Sequence, residues 1–180
     1  EQTERQMGLL KTTVGRVGEP VVRAAVRQAM KIMGAQFVLG KTIDAALDRA
    51  REQEQAGFRY SYDMLGEGAR TTDDAERYYQ SYLHAIEAIG QAANGRGPIS
   101  SPGISVKLSA IHPRYEYSHR ARVLTELVPR VCALARAAKL WNIGFTVDAE
   151  EADRLDLSLD VIEAVFRHPE LRGWDGFGLA

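Results

Sequence analysis

Gly103-Ile104-Ser105-Val106-Lys107-Leu108-Ser109 is the stretch on which the reading of this chain turns. Apolar residues at 104, 106 and 108 alternate with polar ones at 105, 107 and 109, the two-residue period of a strand with one face on a core. A lysine on an inward strand face is a costly buried cation unless carboxylates or an anionic ligand accompany it. An arbitrary strand lysine more often snorkels to solvent as a structural residue. The neighbouring segments turn the reading the other way. In Phe58 to Tyr62 the residues Phe58, Tyr60 and Tyr62 oppose Arg59, Ser61 and Asp63, and in Gly144 to Asp148 the pair Phe145 and Val147 opposes Thr146, Asp148 and Glu150. Three strands therefore each carry one apolar and one polar face, with Asp63 and Asp148 as available partners for Lys107.

Helical patterns separate these strands. The box Thr71-x-x-Asp74 opens a helix with Ala75, Tyr78, Tyr79, Tyr82, Ile86 and Ile89 inward. A second helix carries Val123, Leu124, Leu127, Val131 and Leu134, with a kink expected at Pro129. A third has Leu159, Ile162, Val165 and Phe166, and Gly176 to Ala180 reads as a fourth strand. Ahead of the first strand the pattern is helical, with Pro20 at a helix start, Val22, Val26, Ala29, Met30 and Met33 on one face, and Gly34 as a stop. Another helix from about Thr42 uses Ile43, Ala46, Leu47 and Ala50, and Gly57 is suited to end it in the left-handed conformation.

Strands separated by helices should be parallel. A doubly wound open sheet and an eight-stranded barrel both satisfy that alternation. Helices cover both sides of an open sheet, which favours apolar residues on both faces. A barrel with helices outside and a polar site inside accounts better for the split faces. The predicted fold class is therefore α/β, the first half of a distorted (β/α)8 barrel over residues 57–180, preceded by a helical lead-in over residues 1–56. Glu1 in place of Met and an unturned final strand predict that both ends are cut.

The 180 residues are 45% hydrophobic and 26% charged, an ordinary globular composition. With 23 basic and 24 acidic residues spread along the chain, no basic face is expected and nucleic acid is not an expected partner of this segment. Cys132 is the single cysteine and falls in the buried stripe of a helix, which excludes an intrachain disulfide and fits a reducing compartment. A soluble cytoplasmic protein is expected. The run Asp148-Ala149-Glu150-Glu151-Ala152-Asp153 puts only Asp148 and Glu150 on one face, and no metal is expected there. Of the four histidines only His112, after the Lys107 strand, lies near the polar face, and a structural role suits it. Gly66 and Gly68 do not complete a dinucleotide fingerprint, because its third glycine position holds Thr71.

Gly57-Phe-Arg-Tyr-Ser-Tyr-Asp-Met-Leu-Gly-Glu67, Gly103-Ile-Ser-Val-Lys-Leu-Ser-Ala-Ile-His-Pro-Arg-Tyr115 and Val147-Asp-Ala-Glu-Glu-Ala-Asp-Arg-Leu155 resemble the first strands of the proline dehydrogenase barrel of bacterial proline utilization A. The lead-in with Met33-Gly-Ala-Gln-Phe-Val38 is also similar. This resemblance implies noncovalent FAD, oxidation of L-proline to pyrroline-5-carboxylate and transfer of electrons to a membrane quinone. It further implies a C-terminal aldehyde dehydrogenase domain in the parent chain and peripheral contact with the inner face of the bacterial membrane. By that resemblance Lys107 and Asp148 are the expected catalytic residues, Lys107 and Asp63 bind substrate, and Asp148 with Ala149 lies at the flavin. Glu67 and Glu150 act less directly. The arginines that clamp the carboxylate and most contacts to the FAD phosphates come from later parts of that barrel, so the isolated segment is expected to be inactive. On the residues alone, Lys107 could instead be the Schiff-base lysine of a barrel aldolase, or the segment a noncatalytic scaffold.

Overall fold

In the computed structural model residues 18–34, 38–64 and 68–180 are described. The chain divides into two compact units, Glu1–Lys41 and Thr42–Ala180. In the first, residues 18–34 are helical (α1) with Pro20 in the first described turn, and Arg23 pairs with Glu19 one turn away at 2.6 Å.

The second unit begins with α2 (Ile43–Gln55), whose N-cap Thr42 accepts a hydrogen bond from the Ala45 N–H at 3.2 Å. At its other end Phe58 N–H donates to the Gln53 carbonyl and Gly57 N–H to the Glu54 carbonyl, with Gly57 at φ 99°. This paired capping pattern satisfies two carbonyls that the helix leaves open. It also corrects the expected start of the first strand. Phe58 is spent on the helix cap and is exposed, so β1 is confined to Ser61–Asp63.

α3 (Thr72–Ala93) opens with the predicted box, Thr71 accepting from Asp74 N–H at 3.0 Å and Asp74 from Thr71 N–H at 3.1 Å. It buries Ala75, Tyr82, Ala85, Ile86 and Ile89. β2 (Gly103–Val106) passes into a single 3-10 turn, Leu108–Ala110. α4 (Arg120–Trp141) continues through Pro129 as one helix and buries Val123, Leu127, Val131, Cys132 and Leu134. β3 (Phe145–Val147), α5 (Leu155–Phe166) and β4 (Phe177–Leu179) complete the unit. α5 corrects a second expectation. Its buried apolar residues are Leu157, Val161 and Val165, while Leu159 and Phe166 are exposed, because it carries more apolar side chains than one stripe can bury.

All three strand pairs are parallel, and the order in the sheet is β1-β2-β3-β4. That order separates the two candidate folds. A doubly wound sheet reverses direction at a switch point within its first strands, whereas here each connection advances one position the same way. With crossovers of one hand, the connecting helices α3, α4 and α5 then fall on the same side of the sheet. α3 packs against α4 and α4 against α5, forming that outer layer. Under it lie Ile104, Val106, Phe145 and Val147, none more than 1% exposed. Between α3 and α4 the fit is close enough to require glycine: a Cβ on Gly90 would lie 2.1 Å from Cγ of Trp141. The second unit is the leading arc of a (β/α)8-type barrel.

Candidate functional site

Register fixes what the other side of the sheet presents. Tyr62, Ile104, Phe145 and Phe177 align across the four strands, so the next row is Asp63, Ser105, Thr146 and Gly178. Side chains alternate along a strand, which directs this second row away from the helices. One step past the ends of β2 and β3, Lys107 and Asp148 rise from adjacent positions. Lys107 Nζ donates to Oδ2 of Asp63 at 2.7 Å and to Oδ2 of Asp148 at 3.0 Å. The lysine side chain is 15% exposed, against 45% for Asp63 and 22% for Asp148. Burial works against the Lys107 charge, but the two carboxylates outweigh it and hold the ammonium above the usual lysine range. Ser105 Oγ donates to the other oxygen of Asp148, so that carboxylate is oriented from two sides.

Glu150 is placed differently from Asp148. Its Oε1 accepts from Ser109 N–H at 3.0 Å and its Oε2 lies 3.5 Å from Arg154. The side chain thereby ties the β3–α5 loop to the turn after β2. Ala149 is exposed beside Asp148. Glu67 lies outside the described residues. His112 is buried, with Nε2 3.1 Å from Oε2 of Glu126 and Nδ1 accepting from Arg114 N–H at 3.2 Å. An accepting Nδ1 leaves Nε2 as the protonated nitrogen, and the ring clips the loop after β2 to α4. Among the described residues no group of three or more His, Cys, Asp or Glu side chains could hold a metal ion, and no helix is long and apolar enough to cross a membrane.

Two residues at the site carry no obvious sequence signal. Ser105 looks like any small polar strand residue until its register opposite Thr146, two positions before Asp148 and on the same face, is known. Tyr82 reads as core on the face of α3, yet its hydroxyl accepts from the Lys107 backbone N–H at 3.2 Å. Only the general need of a buried tyrosine for a polar partner points to it.

Parallel strands in sequential order, helices on one side and an ion-paired lysine at the C-terminal strand ends define the arc of an α/β-barrel enzyme, the rim where such folds build their sites. The comparisons narrow the class. Residues 46–180 match the family described as Proline dehydrogenase, and the chain belongs to that family. Residues 1–37 match a second family, described as DNA-binding domain of Proline dehydrogenase. That description runs against the expectation from overall charge, which averages over segments: residues 1–37 hold six basic and three acidic residues within a nearly neutral chain.

Bifunctional protein PutA of Klebsiella aerogenes is 54% identical over 169 residues, covering 94% of this chain and 13% of that protein. A crystal structure of a Bradyrhizobium japonicum Proline Utilization A (PutA) mutant aligns with TM-score 0.74 at 60% identity, over 92% of this chain and 17% of that one. Proline utilization A from Bdellovibrio bacteriovorus, inactivated by N-propargylglycine, aligns with TM-score 0.81 at 18% identity, over 88% of this chain and 18% of that one. This last likeness is one of fold. The chain thus spans about an eighth of the length of the K. aerogenes relative.

Proposed function

We propose that these residues form the front of a flavin-dependent proline dehydrogenase, in which Lys107, Asp63 and Asp148 receive L-proline at the C-terminal rim of the barrel. The observation that carries the reading is the placement of the Lys107 ammonium between two carboxylates on the polar face. Zwitterionic proline needs a cation for its carboxylate and anions near its amine. An ammonium has three N–H donors; Asp63 and Asp148 take two, and the third is assigned to the substrate carboxylate. The trio carries a net charge of −1, which favours the substrate's protonated amine.

Noncovalent FAD fits the same face. Gly178 lies in the polar row, and among the described residues a Cβ there would meet nothing within 4 Å, while Ala149 adds only a methyl group beside Asp148. A planar ring can lie against such small residues, with Asp148 and Ala149 alongside it. FAD, when bound, would take up a hydride from the ring carbon next to nitrogen once the amine has released a proton, which leaves the carbon–nitrogen double bond of pyrroline-5-carboxylate. The contribution of the chain's own residues is to hold the substrate at contact distance and in one orientation. Glu150 acts at one remove, by fixing the turn that follows Lys107. Glu67 belongs to the same charge network by resemblance.

Electrons then pass to a membrane quinone through peripheral contact of the parent protein with the membrane. The word bifunctional in the relative's name supports a second activity elsewhere in the parent polypeptide, an aldehyde dehydrogenase by resemblance. The proposed boundary of the barrel proper is residue 57, with residues 1–56 as the segment that leads into it. The Schiff-base alternative suits the site less well, because a nucleophilic lysine must be neutral and both carboxylates keep this one protonated. The test is anaerobic addition of L-proline to the complete flavin-loaded protein. Bleaching of the visible flavin absorbance is expected, and an unchanged spectrum would overturn the reading.

A further inference from the structure

The donor pattern of β2 leads to a residue outside the charged cluster. Gly103 N–H donates to the Tyr60 carbonyl on the β1 side, whereas Ile104 N–H donates to the Gly144 carbonyl on the β3 side. Donors of a parallel strand alternate sides in this way, so residues 103, 105 and 107 all address β1. But β1 ends at Asp63, paired with Ser105. The N–H of Lys107 therefore reaches the ladder's edge one step after its strand partner has gone. Tyr82 meets it there: its hydroxyl oxygen accepts this N–H at 3.2 Å, from a ring that is 1% exposed within the α3 core.

A buried backbone N–H is seldom left without an acceptor, and the position of this one matters. Lys107 is the residue at which β2 gives way to the 3-10 turn Leu108–Ala110, and its side chain leaves the sheet from that Cα toward Asp63 and Asp148. An error in the backbone at 107 moves the ammonium directly. Burial pushes the Tyr82 hydroxyl up to about 12, so it is a neutral phenol at every working pH and a constant acceptor. Its aromatic body is held by the same core that packs α3 against the sheet.

We propose that Tyr82 is a positioning residue for proline recognition, its hydroxyl replacing the missing strand carbonyl so that the Lys107 ammonium is set for the substrate carboxylate. The proposal rests on the function assigned to Lys107 above. It makes the helix layer, not only the strand rim, a determinant of substrate affinity.

The experiment is a double-mutant cycle in the complete flavin-loaded protein, with Tyr82→Phe, Lys107→Ala and both together. Binding is read for L-proline and, by competition, for pyrrolidine, which has the ring amine and no carboxylate. Tyr82→Phe should weaken proline roughly three- to tenfold while leaving pyrrolidine unchanged, and should add nothing in the Lys107→Ala background. A merely structural tyrosine would weaken both ligands alike, or act independently of Lys107, and either result overturns the proposal. If Lys107→Ala itself leaves proline affinity intact, the assignment of Lys107 fails first. Should Tyr82→Phe not fold, site-resolved hydrogen exchange on the unaltered protein decides instead. The Lys107 amide should exchange as slowly as that of Val106, and rapid exchange at 107 alone would contradict the bond on which the proposal stands.

Discussion

Removing the Lys107 ammonium should separate two ligands that differ by one carboxylate. In the structure the lysine is 15% exposed and lies 2.7 and 3.0 Å from the oxygens of Asp63 and Asp148. On the role proposed for Lys107, Lys107→Ala deletes a charge-assisted donor to the substrate carboxylate, a loss of about 1–3 kcal/mol, or roughly 5- to 150-fold in affinity. The variant also changes the local charge from −1 to −2. With the ammonium gone the two aspartates are no longer offset, and a carboxylate about 6 Å from one of them is repelled by about 3 kcal/mol at an effective dielectric of about 20. Solvent around Asp63, which is 45% exposed, screens much of that, so the upper half of the range is expected for proline. Pyrrolidine should respond oppositely. Its cationic amine meets two carboxylates without the competing ammonium and should bind as well as before or better. Flavin titration with proline, and competition by pyrrolidine, measure both in the complete protein. Equal weakening of the two ligands would mean that Lys107 only supports the fold, and unaltered proline affinity would refute the assignment outright.

Three further outcomes follow from packing and charge. Gly90→Ala should destabilise the barrel by about 1–3 kcal/mol, because the new methyl collides with the Trp141 ring; an unshifted denaturation midpoint would contradict that packing. Thr71→Ala should lower stability by about 1 kcal/mol, with Thr71→Ser recovering most of it, since the box at the start of α3 is reciprocal. Burial depresses the affinity of His112 for protons, although Glu126 partly opposes this. The unfolded chain then binds a proton that the folded one refuses, so stability is full above pH 6.5 and falls as pH drops below it. His112→Gln should flatten that slope between about pH 5 and 6.5, above the range in which ordinary carboxylates titrate, and an unchanged slope would remove His112 as its source.

Much of this arrangement was legible because side-chain alternation is a strict code. Once Ile104, Val106, Phe145 and Val147 were read as facing helices, Lys107 and Asp148 could only rise on the other side. Thr71 and Asp74 marked the α3 start for an equally local reason, a pair of hydrogen bonds within four residues. The misreadings came where one residue serves two elements. Phe58 has the composition of a strand but closes the cap of α2, and α5 has enough leucine, isoleucine, valine and phenylalanine to offer two plausible inward faces. Tyr82 and Ser105 were out of reach for another reason: their partners lie 25 and 43 residues away, and no local pattern encodes such a pairing. Segmental charge was lost by averaging over the chain. The six basic residues among the first 37 vanish into a balanced total.

The most direct test is a crystal structure of the complete flavin-loaded protein with a non-oxidisable five-membered-ring carboxylate in place of proline. We expect the ligand's carboxylate within about 3 Å of Lys107 Nζ, with Asp63 and Asp148 still gripping the same nitrogen. A ligand bound elsewhere, with that ammonium turned into bulk water, would contradict the account.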